Sequence, residues 1–155
     1  MDNLIIFGAK YLFVVVVLIY GLALWQASPK HRKQLLVGLV VAGIIAVILD
    51  KIGGKLFYDP RPFVTHHIKP LVAHSADNGF PSEHTILTFA IGSLIAAFRP
   101  KLGGLALVLA LLVGISRVAA HIHSPIDIIG GAAIGLAAGA AGYYASQKFL
   151  LPKKN

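Results

Sequence analysis

Residues 35–49 read LLVGLVVAGIIAVIL, an apolar run that contains no charged residue. As a helix this run is only about 22 Å long, since each residue adds about 1.5 Å. The hydrocarbon core of a bilayer is about 30 Å thick, so a spanning helix must continue through Asp50, Lys51 and Lys55 towards Tyr58. Ionised side chains at that depth are tolerated only where they face protein or water. We therefore expect these three charged side chains to face away from lipid.

The composition of the whole chain is that of a membrane protein. Hydrophobic residues make up 57% of the 155 residues and charged residues 13%, against about 25% charged in a soluble domain. This composition excludes a disordered chain, a fibrous repeat and a domain that binds nucleic acid. The absence of cysteine excludes disulfides and thiolate metal sites. We predict an all-α, integral-membrane helical bundle formed by a single domain over residues 1–155.

Four further apolar segments raise the predicted number of transmembrane helices to five. They are residues 4–25, 82–98, 102–121 and 125–147. The first is similar to a signal peptide, but the basic residues 30–33 that follow it favour an uncleaved span. Ser124 and Pro125 are typical of a helix N-cap and a first helical position.

Small residues recur along the last predicted span. Gly131, Gly135 and Gly139 are spaced by four residues, which lets another helix approach closely. Two interpretations stay open at this point. The glycines can pack against another helix of the same chain, or they can form the face of a homodimer.

Five spans place the charged residues unequally on the two sides of the membrane. One side holds eight basic residues and no acidic one: Lys30, Arg32, Lys33, Arg99, Lys101, Lys148, Lys153 and Lys154. The other side holds all six acidic residues and six of the seven histidines. Basic loops are retained in the cytoplasm. We therefore expect the acids, the histidines and the N-terminus to face outwards, with a polar site at that interface.

Three short segments at this outer face carry groups suited to phosphate chemistry. They are residues 55–62 (KLFYDPRP), 80–84 (FPSEH) and 116–127 (SRVAAHIHSPID). Lys55, Arg61 and Arg117 supply three cations, and an arginine fork matches two phosphate oxygens. The helix starts predicted at Ser82 and Pro125 present free N–H groups, which favour an anion.

Two histidines near those helix starts can act on a bound phosphate. Asp127 follows His123 by four residues and can fix one tautomer of its imidazole, which is the relation between a nucleophile and its orienting group. His84 lies at the other helix start. Simpler interpretations remain open: Asp127 as a capping residue, the arginines and especially Lys55 as interfacial side chains, and Glu83 as a favourable first-turn acid.

These segments resemble the signature of the type-two phosphatidic acid phosphatase superfamily, in its branch of integral-membrane lipid phosphatases. That signature reads Lys-x6-Arg-Pro, Pro-Ser-Gly-His and Ser-Arg-x5-His-x3-Asp. The third part matches here at every fixed position. In the second, Glu83 replaces the glycine, and in the first Lys55 precedes Arg61 by six positions instead of seven.

Within that superfamily the chain is most similar to bacterial undecaprenyl pyrophosphate phosphatases of the bacitracin-resistance type. The resemblance rests on residues 59–63 (DPRPF), 74–77 (HSAD) and 80–84 (FPSEH). It implies a multi-pass protein of the bacterial inner membrane whose substrate is a lipid phosphate. It implies neither a cofactor nor a metal. The substrate alternatives are phosphatidylglycerophosphate, phosphatidic acid and lipid A, and a small membrane transporter is the alternative outside the enzymes.

The resemblance also implies a role for each matching residue. His123 would attack phosphorus to form a phosphohistidine, with Asp127 orienting it. His84 would protonate the leaving oxygen and then activate water. Arg61, Ser82 and Arg117 would hold the phosphoryl oxygens, joined by Lys55. Two functional roles stay open for Glu83, which departs from the signature: it can tune the choice of substrate or the proton balance of the active site.

Overall fold

The computed structural model describes residues 1–149, and within that range it contains seven helices and no β-strand. The helices are α1 (Asp2–Lys10), α2 (Leu12–Trp25), α3 (Pro29–Leu56), α4 (Pro62–Thr65), α5 (Glu83–Phe98), α6 (Pro100–Ala119) and α7 (Pro125–Phe149). The predicted all-α class is confirmed. Lys153 and Lys154, which were assigned to the basic side, lie outside the described residues.

Three of the described helices, α3, α6 and α7, are long and apolar enough to cross a membrane. Helices α1 and α2 meet the same test only together, as a pair bent by 46° at Tyr11. The span predicted over residues 4–25 therefore corresponds to two helices with a bend between them. Helix α5, with 16 residues, is shorter than a span of ordinary length. As expected, α3 continues past its apolar run and ends only at Leu56.

Helix α5 lies at the centre of the bundle, where it packs against α3, α6 and α7. The glycines of α7 make this packing close. A Cβ atom at Gly131 would lie 2.9 Å from the carbonyl oxygen of Ser82, and one at Gly135 would lie 2.6 Å from that of Ile86. The glycine stripe therefore packs within the chain. It is not a free face for a second copy, so the homodimer interpretation of Gly131, Gly135 and Gly139 is wrong.

The directions of the helices bring the three motif segments to one end of the bundle. Helices α3 and α6 end there, and α5 and α7 begin there. At the opposite end, Arg32 donates to the Leu24 carbonyl at 3.1 Å, and Gln34 donates to Gln147 at 2.9 Å. The histidine-rich end and the basic end are thus separated by the full length of the helices.

Candidate active site

His123 and Asp127 form a buried pair where α6 connects to α7. His123 lies in the connection and is 2% exposed, while Asp127 in the first turn of α7 is 0% exposed. His123 Nδ1 is 3.1 Å from Asp127 Oδ2. Because an ionised carboxylate can only accept a hydrogen bond, the imidazole proton lies on Nδ1 and the lone pair on Nε2.

Two neighbours hold Asp127 in place. The Ser124 amide donates to Asp127 Oδ2 at 2.9 Å, so this carboxylate caps α7 as well as contacting His123. Ser124 occupies the expected N-cap position, but its hydroxyl donates to the Asp59 carboxylate. A Cβ atom at Gly79 would lie 2.7 Å from Asp127 Oδ2, so the backbone can approach the carboxylate this closely only because residue 79 is glycine.

The surroundings of His123 favour its neutral form. Burial lowers the pKa of His123, and the hydrogen bond to Asp127 opposes that shift because it favours the charged imidazole. The nearby charges of Arg117 and Arg61 lower the pKa further. A neutral imidazole with its proton on Nδ1 presents a nucleophilic lone pair at Nε2.

Two guanidinium groups converge on that lone pair. Arg61 Nη1 is 3.3 Å and Arg117 Nη2 is 3.2 Å from His123 Nε2. Both arginines are buried, at 5% and 4% exposure, which excludes their interpretation as interfacial side chains. Arg61 Nη1 also donates to the Ile122 carbonyl at 2.7 Å, and Arg117 Nη1 donates to the Ala9 carbonyl at 3.1 Å.

The segment 74–78 contacts both arginines. Asp77 Oδ1 accepts from Arg61 Nε at 2.7 Å, and this ion pair holds the pKa of Asp77 below its ordinary value. The Asn78 carbonyl accepts from Arg61 Nη2 at 3.3 Å, while His74 Nε2 is 3.4 Å from Arg117 Nη2. The sequence alone favours loop positions for His74 and Asp77, with His74 able to line the entrance to the site, and it gives Asn78 no role. The HSAD match was the one signal that pointed to this segment.

The side chain of Asn78 has a further structural role that the sequence does not indicate. Its side-chain amide donates to the carbonyls of Gly54 and Phe57, each at 3.0 Å, at the end of α3. Its side-chain oxygen accepts from the amides of Asp59 and Phe80, at 2.9 and 3.0 Å. Asn78 therefore joins the end of α3 to the two segments that lead to Arg61 and to α5.

A polar cavity of about 340 Å³ opens onto His123 Nε2. Six of the predicted site residues line it: Lys55, Arg61, Glu83, His84, Arg117 and His123. The charged or polar residues Asp50, Lys51, His74, Asp77 and Asn78 complete the polar lining. Lys55 and Glu83 are exposed, in contrast to the buried arginines.

Two predicted site residues do not line the cavity. Asp127 lies behind His123. Ser82 is 0% exposed, and its hydroxyl accepts a hydrogen bond from Thr85 at 3.1 Å. The contact of Ser82 with a phosphoryl group stays a prediction. His84 does line the cavity from the first turn of α5, and its ring packs edge-on against Phe13 with centroids 5.0 Å apart.

An apolar groove of about 450 Å³ runs from the polar cavity between α3 and α5. Its lining residues are Gly43, Ala46, Val47, Ile86 and Leu87, together with Asp50, Lys51 and Glu83, which also line the polar cavity. The two spaces therefore adjoin each other at these three residues. Such an arrangement fits a ligand with an anionic head and a hydrocarbon chain.

Comparisons with known proteins agree with this geometry. Residues 33–150 match the PAP2 superfamily. The chain is 39% identical over 138 residues to the bacitracin transport permease protein BcrC of Bacillus licheniformis, covering 88% of this chain and 67% of that protein. It is 29% identical over 139 residues to the undecaprenyl-diphosphatase BcrC of Bacillus subtilis, covering 90% and 72%. Its fold is similar to the crystal structure of a transmembrane PAP2-type phosphatidylglycerolphosphate phosphatase from Bacillus subtilis, with a TM-score of 0.66 at 24% identity and coverage of 98% and 77%.

Proposed function

Because this chain belongs to the PAP2 superfamily, we propose that it hydrolyses undecaprenyl pyrophosphate to undecaprenyl phosphate and inorganic phosphate. One observation carries the proposal. His123 Nε2 lies between Arg61 Nη1 and Arg117 Nη2, and its Nδ1 is held by Asp127. This is a nucleophile flanked by two cations that can bind the oxygens of the phosphoryl group under attack. The name of the Bacillus subtilis relative supports the choice of lipid.

In the first step, His123 Nε2 attacks the terminal phosphorus. A P–N bond forms and the P–O bond to the leaving lipid phosphate breaks, which gives a phosphohistidine. Arg61 and Arg117 stabilise the charge that develops on the phosphoryl oxygens. His84 donates a proton to the leaving oxygen, and the His123 Nδ1 proton stays on the hydrogen bond to Asp127.

In the second step, water attacks the phosphohistidine. His84, now neutral, takes a proton from the water as its oxygen bonds to phosphorus. The P–N bond breaks, inorganic phosphate leaves, and His123 regains its lone pair. The sum is one water consumed per P–O bond cleaved. This sequence requires neither a cofactor nor a metal, because the guanidinium groups supply the positive charge.

The apolar groove between α3 and α5 supports a lipid substrate. In this proposal the phosphate groups occupy the polar cavity, and the hydrocarbon chain of the lipid lies in the groove along Gly43, Val47 and Leu87. Glu83 lies where the two spaces meet, so it contacts the part of the substrate that differs between lipids. That position supports its proposed role in the choice of substrate.

We further propose five transmembrane helices, with the bent pair α1–α2 as the first and α5 as the third. Helix α5 is only about 24 Å long, but α3, α6 and α7 surround it, so little of it needs to meet lipid. The basic residues at the far end of the bundle support a cytoplasmic location for that end. The active site then faces outwards from a bacterial inner membrane.

The name of the Bacillus licheniformis relative favours a second candidate, a transporter. A transport pathway requires polar or charged residues at mid-membrane depth. The charged residues of α5 and α6 all lie in terminal turns, Glu83 and Arg117 at the cavity end and Lys101 at the opposite end. The geometry therefore favours hydrolysis.

The test of the function is phosphate release by the purified chain from a panel of lipid phosphates. We expect release from undecaprenyl pyrophosphate, and unchanged release when EDTA is present. Complete loss in EDTA would contradict the metal-free mechanism. If the chain released no phosphate from any lipid phosphate and transported bacitracin into vesicles, the proposed hydrolase function would be wrong and the transporter candidate would be supported.

The orientation has its own test, which the absence of cysteine makes simple. Asp77→Cys should react with a membrane-impermeant thiol reagent in intact cells, and Lys101→Cys should not. The reverse pattern would place the site in the cytoplasm.

A further inference from the structure

Two histidine rings lie beside the same guanidinium nitrogen. Arg117 Nη2 is 3.2 Å from His123 Nε2 and 3.4 Å from His74 Nε2. The two rings are edge-on to each other, with centroids 6.1 Å apart. The proposed mechanism uses His123 and Arg117 and leaves His74 without a role. An oxygen that binds Arg117 Nη2 on the side facing His74 is therefore also within reach of His74 Nε2.

His74 is exposed, yet the backbone on both sides of it is anchored. On one side, the Leu71 amide donates to the Ala120 carbonyl at 3.2 Å, and Leu71 packs against the buried cluster that contains Ile122. On the other side, Asp77 forms its 2.7 Å ion pair with Arg61. His74 is therefore presented to the cavity by contacts that also fix the elements carrying the two arginines.

The cavity lacks a cation where the superfamily signature has its lysine. The position seven residues before Arg61 is Gly54, whose carbonyl accepts from the Asn78 side chain at 3.0 Å. Lys55, one residue later, is exposed on α3. His74 approaches the cavity from another segment and brings a ring nitrogen close to Arg117.

We propose that His74 is a further phosphate-binding residue, which donates from Nε2 to an oxygen of the phosphate group held by Arg117. This inference rests on the proposed function, because that function is the reason for taking a phosphate group as the ligand. Without an anion, partial burial and the charges of Arg61, Arg117 and His123 lower the pKa of His74, and Asp77 alone raises it. A bound phosphate adds negative charge beside the ring and favours the protonated form, which donates a charge-assisted hydrogen bond.

The test uses inorganic phosphate as the probe and the full chain purified in detergent. Equilibrium dialysis with labelled phosphate gives the dissociation constant without any need for turnover. We expect His74→Ala to weaken phosphate binding about 10-fold, the loss typical of one hydrogen bond to a charged group. His74→Gln keeps an N–H donor and should recover part of the loss. The control is His66→Ala, an exposed histidine of the same connection that does not line the cavity.

Hydrolysis provides the second measurement. With a lipid diphosphate, His74→Ala should raise KM about 10-fold and change kcat by less than about twofold, since the residue binds phosphate without taking part in proton transfer. An unchanged dissociation constant would overturn the proposal, and so would a loss confined to kcat. If His74→Ala fails to fold, His74→Phe, which keeps a ring but has no N–H donor, carries the same comparison against His66→Phe. A wild-type chain that binds phosphate through His74 and hydrolyses no lipid phosphate would contradict the proposed function and support this inference.

Discussion

The cavity has two cationic walls that differ in how firmly their charges are held. On the inner wall, Arg61 and Arg117 are about 95% buried and are fixed by backbone carbonyls. On the α3 wall, Lys51 and Lys55 are exposed. The side chain of Lys51 is 71% exposed, and its Nζ lies 3.5 Å from Oδ2 of the adjacent Asp50. The arginines and the lysines carry the same formal charge, but only the arginine side chains are held in fixed positions before a ligand binds.

This difference follows from the chemistry of the two side chains. A guanidinium group has five N–H donors in a rigid plane, so some can bind backbone carbonyls while others remain aimed at His123. An ammonium group is a single point charge at the end of a flexible chain, and it loses rotamer freedom when it binds. Preordered charges stabilise a transition state without further reorganisation. We therefore assign the reacting phosphoryl group to the inner wall and the approach of the substrate to the α3 wall.

The largest effect is expected when His123, on which the two arginines of the inner wall converge, is removed. His123→Ala should reduce turnover by about 10⁴-fold or more, because the P–N bond can no longer form. Acid-stable labelling is not expected for a phosphohistidine, so the phosphoenzyme is measured by alkaline gel after brief reaction with labelled substrate. The label should disappear in His123→Ala and persist in His66→Ala. A labelled His123→Ala protein would remove His123 as the nucleophile.

The next effect compares the two walls directly. Arg117→Lys keeps the charge but cannot bind the Ala9 carbonyl and a phosphoryl oxygen together, so kcat should fall about 10²–10³-fold. Lys55→Arg on the α3 wall should change kcat less than about threefold. Steady-state kinetics on one lipid diphosphate measures both. Equal losses would show that the order of the inner wall carries no advantage.

The inner wall was predictable from sequence where its groups are close in the chain. The spacing of Arg117, His123 and Asp127 indicated one site, because one connection and one helix turn bring them together. The partners of Arg61 were not predictable in the same way. Asp77 and Asn78 lie 16 and 17 residues further along, and only the folded connection brings them to its guanidinium group.

The fold shows the same limit. Apolar runs predicted the positions of the long helices α3, α6 and α7, because hydropathy reports which residues leave water. Hydropathy contains no information on the direction of a helix axis, so it did not indicate the 46° bend at Tyr11. The glycine stripe of α7 predicted a close helix contact, but not which helix makes it. That helix is α5, whose Ser82 and Ile86 carbonyls occupy the space beside the glycines.

The dependence of the rate on pH tests the charge state of His123, and we expect its effect to be intermediate in size. Burial lowers the pKa of His123 below its ordinary value of about 6.5. Protonation removes the Nε2 lone pair, so it slows attack only when the pH falls below that lowered pKa. In a His84→Ala background, which removes the proposed general acid, phosphoenzyme formation should therefore be constant from pH 8 to about 6.5, with an acid limb of about 10-fold per pH unit further down. Rapid-quench labelling measures the rate, and a limb above pH 7 would contradict a nucleophile with a lowered pKa.

The smallest expected effect belongs to the α3 wall. Lys55 is exposed and one helix position, about 100°, away from the place of the superfamily lysine, so solvent and salt screen its charge. Lys55→Gln should lower kcat/KM only about threefold at low ionic strength, and the difference from wild type should shrink as salt is added. Lys69→Gln is the matched control, since it removes an equal charge from the connection between α4 and α5 without touching the cavity. A loss of about 100-fold that persists in high salt would place Lys55 on a bound phosphoryl oxygen. The two walls would then share the chemistry, and exposure in the free protein would not predict which cations take part in it.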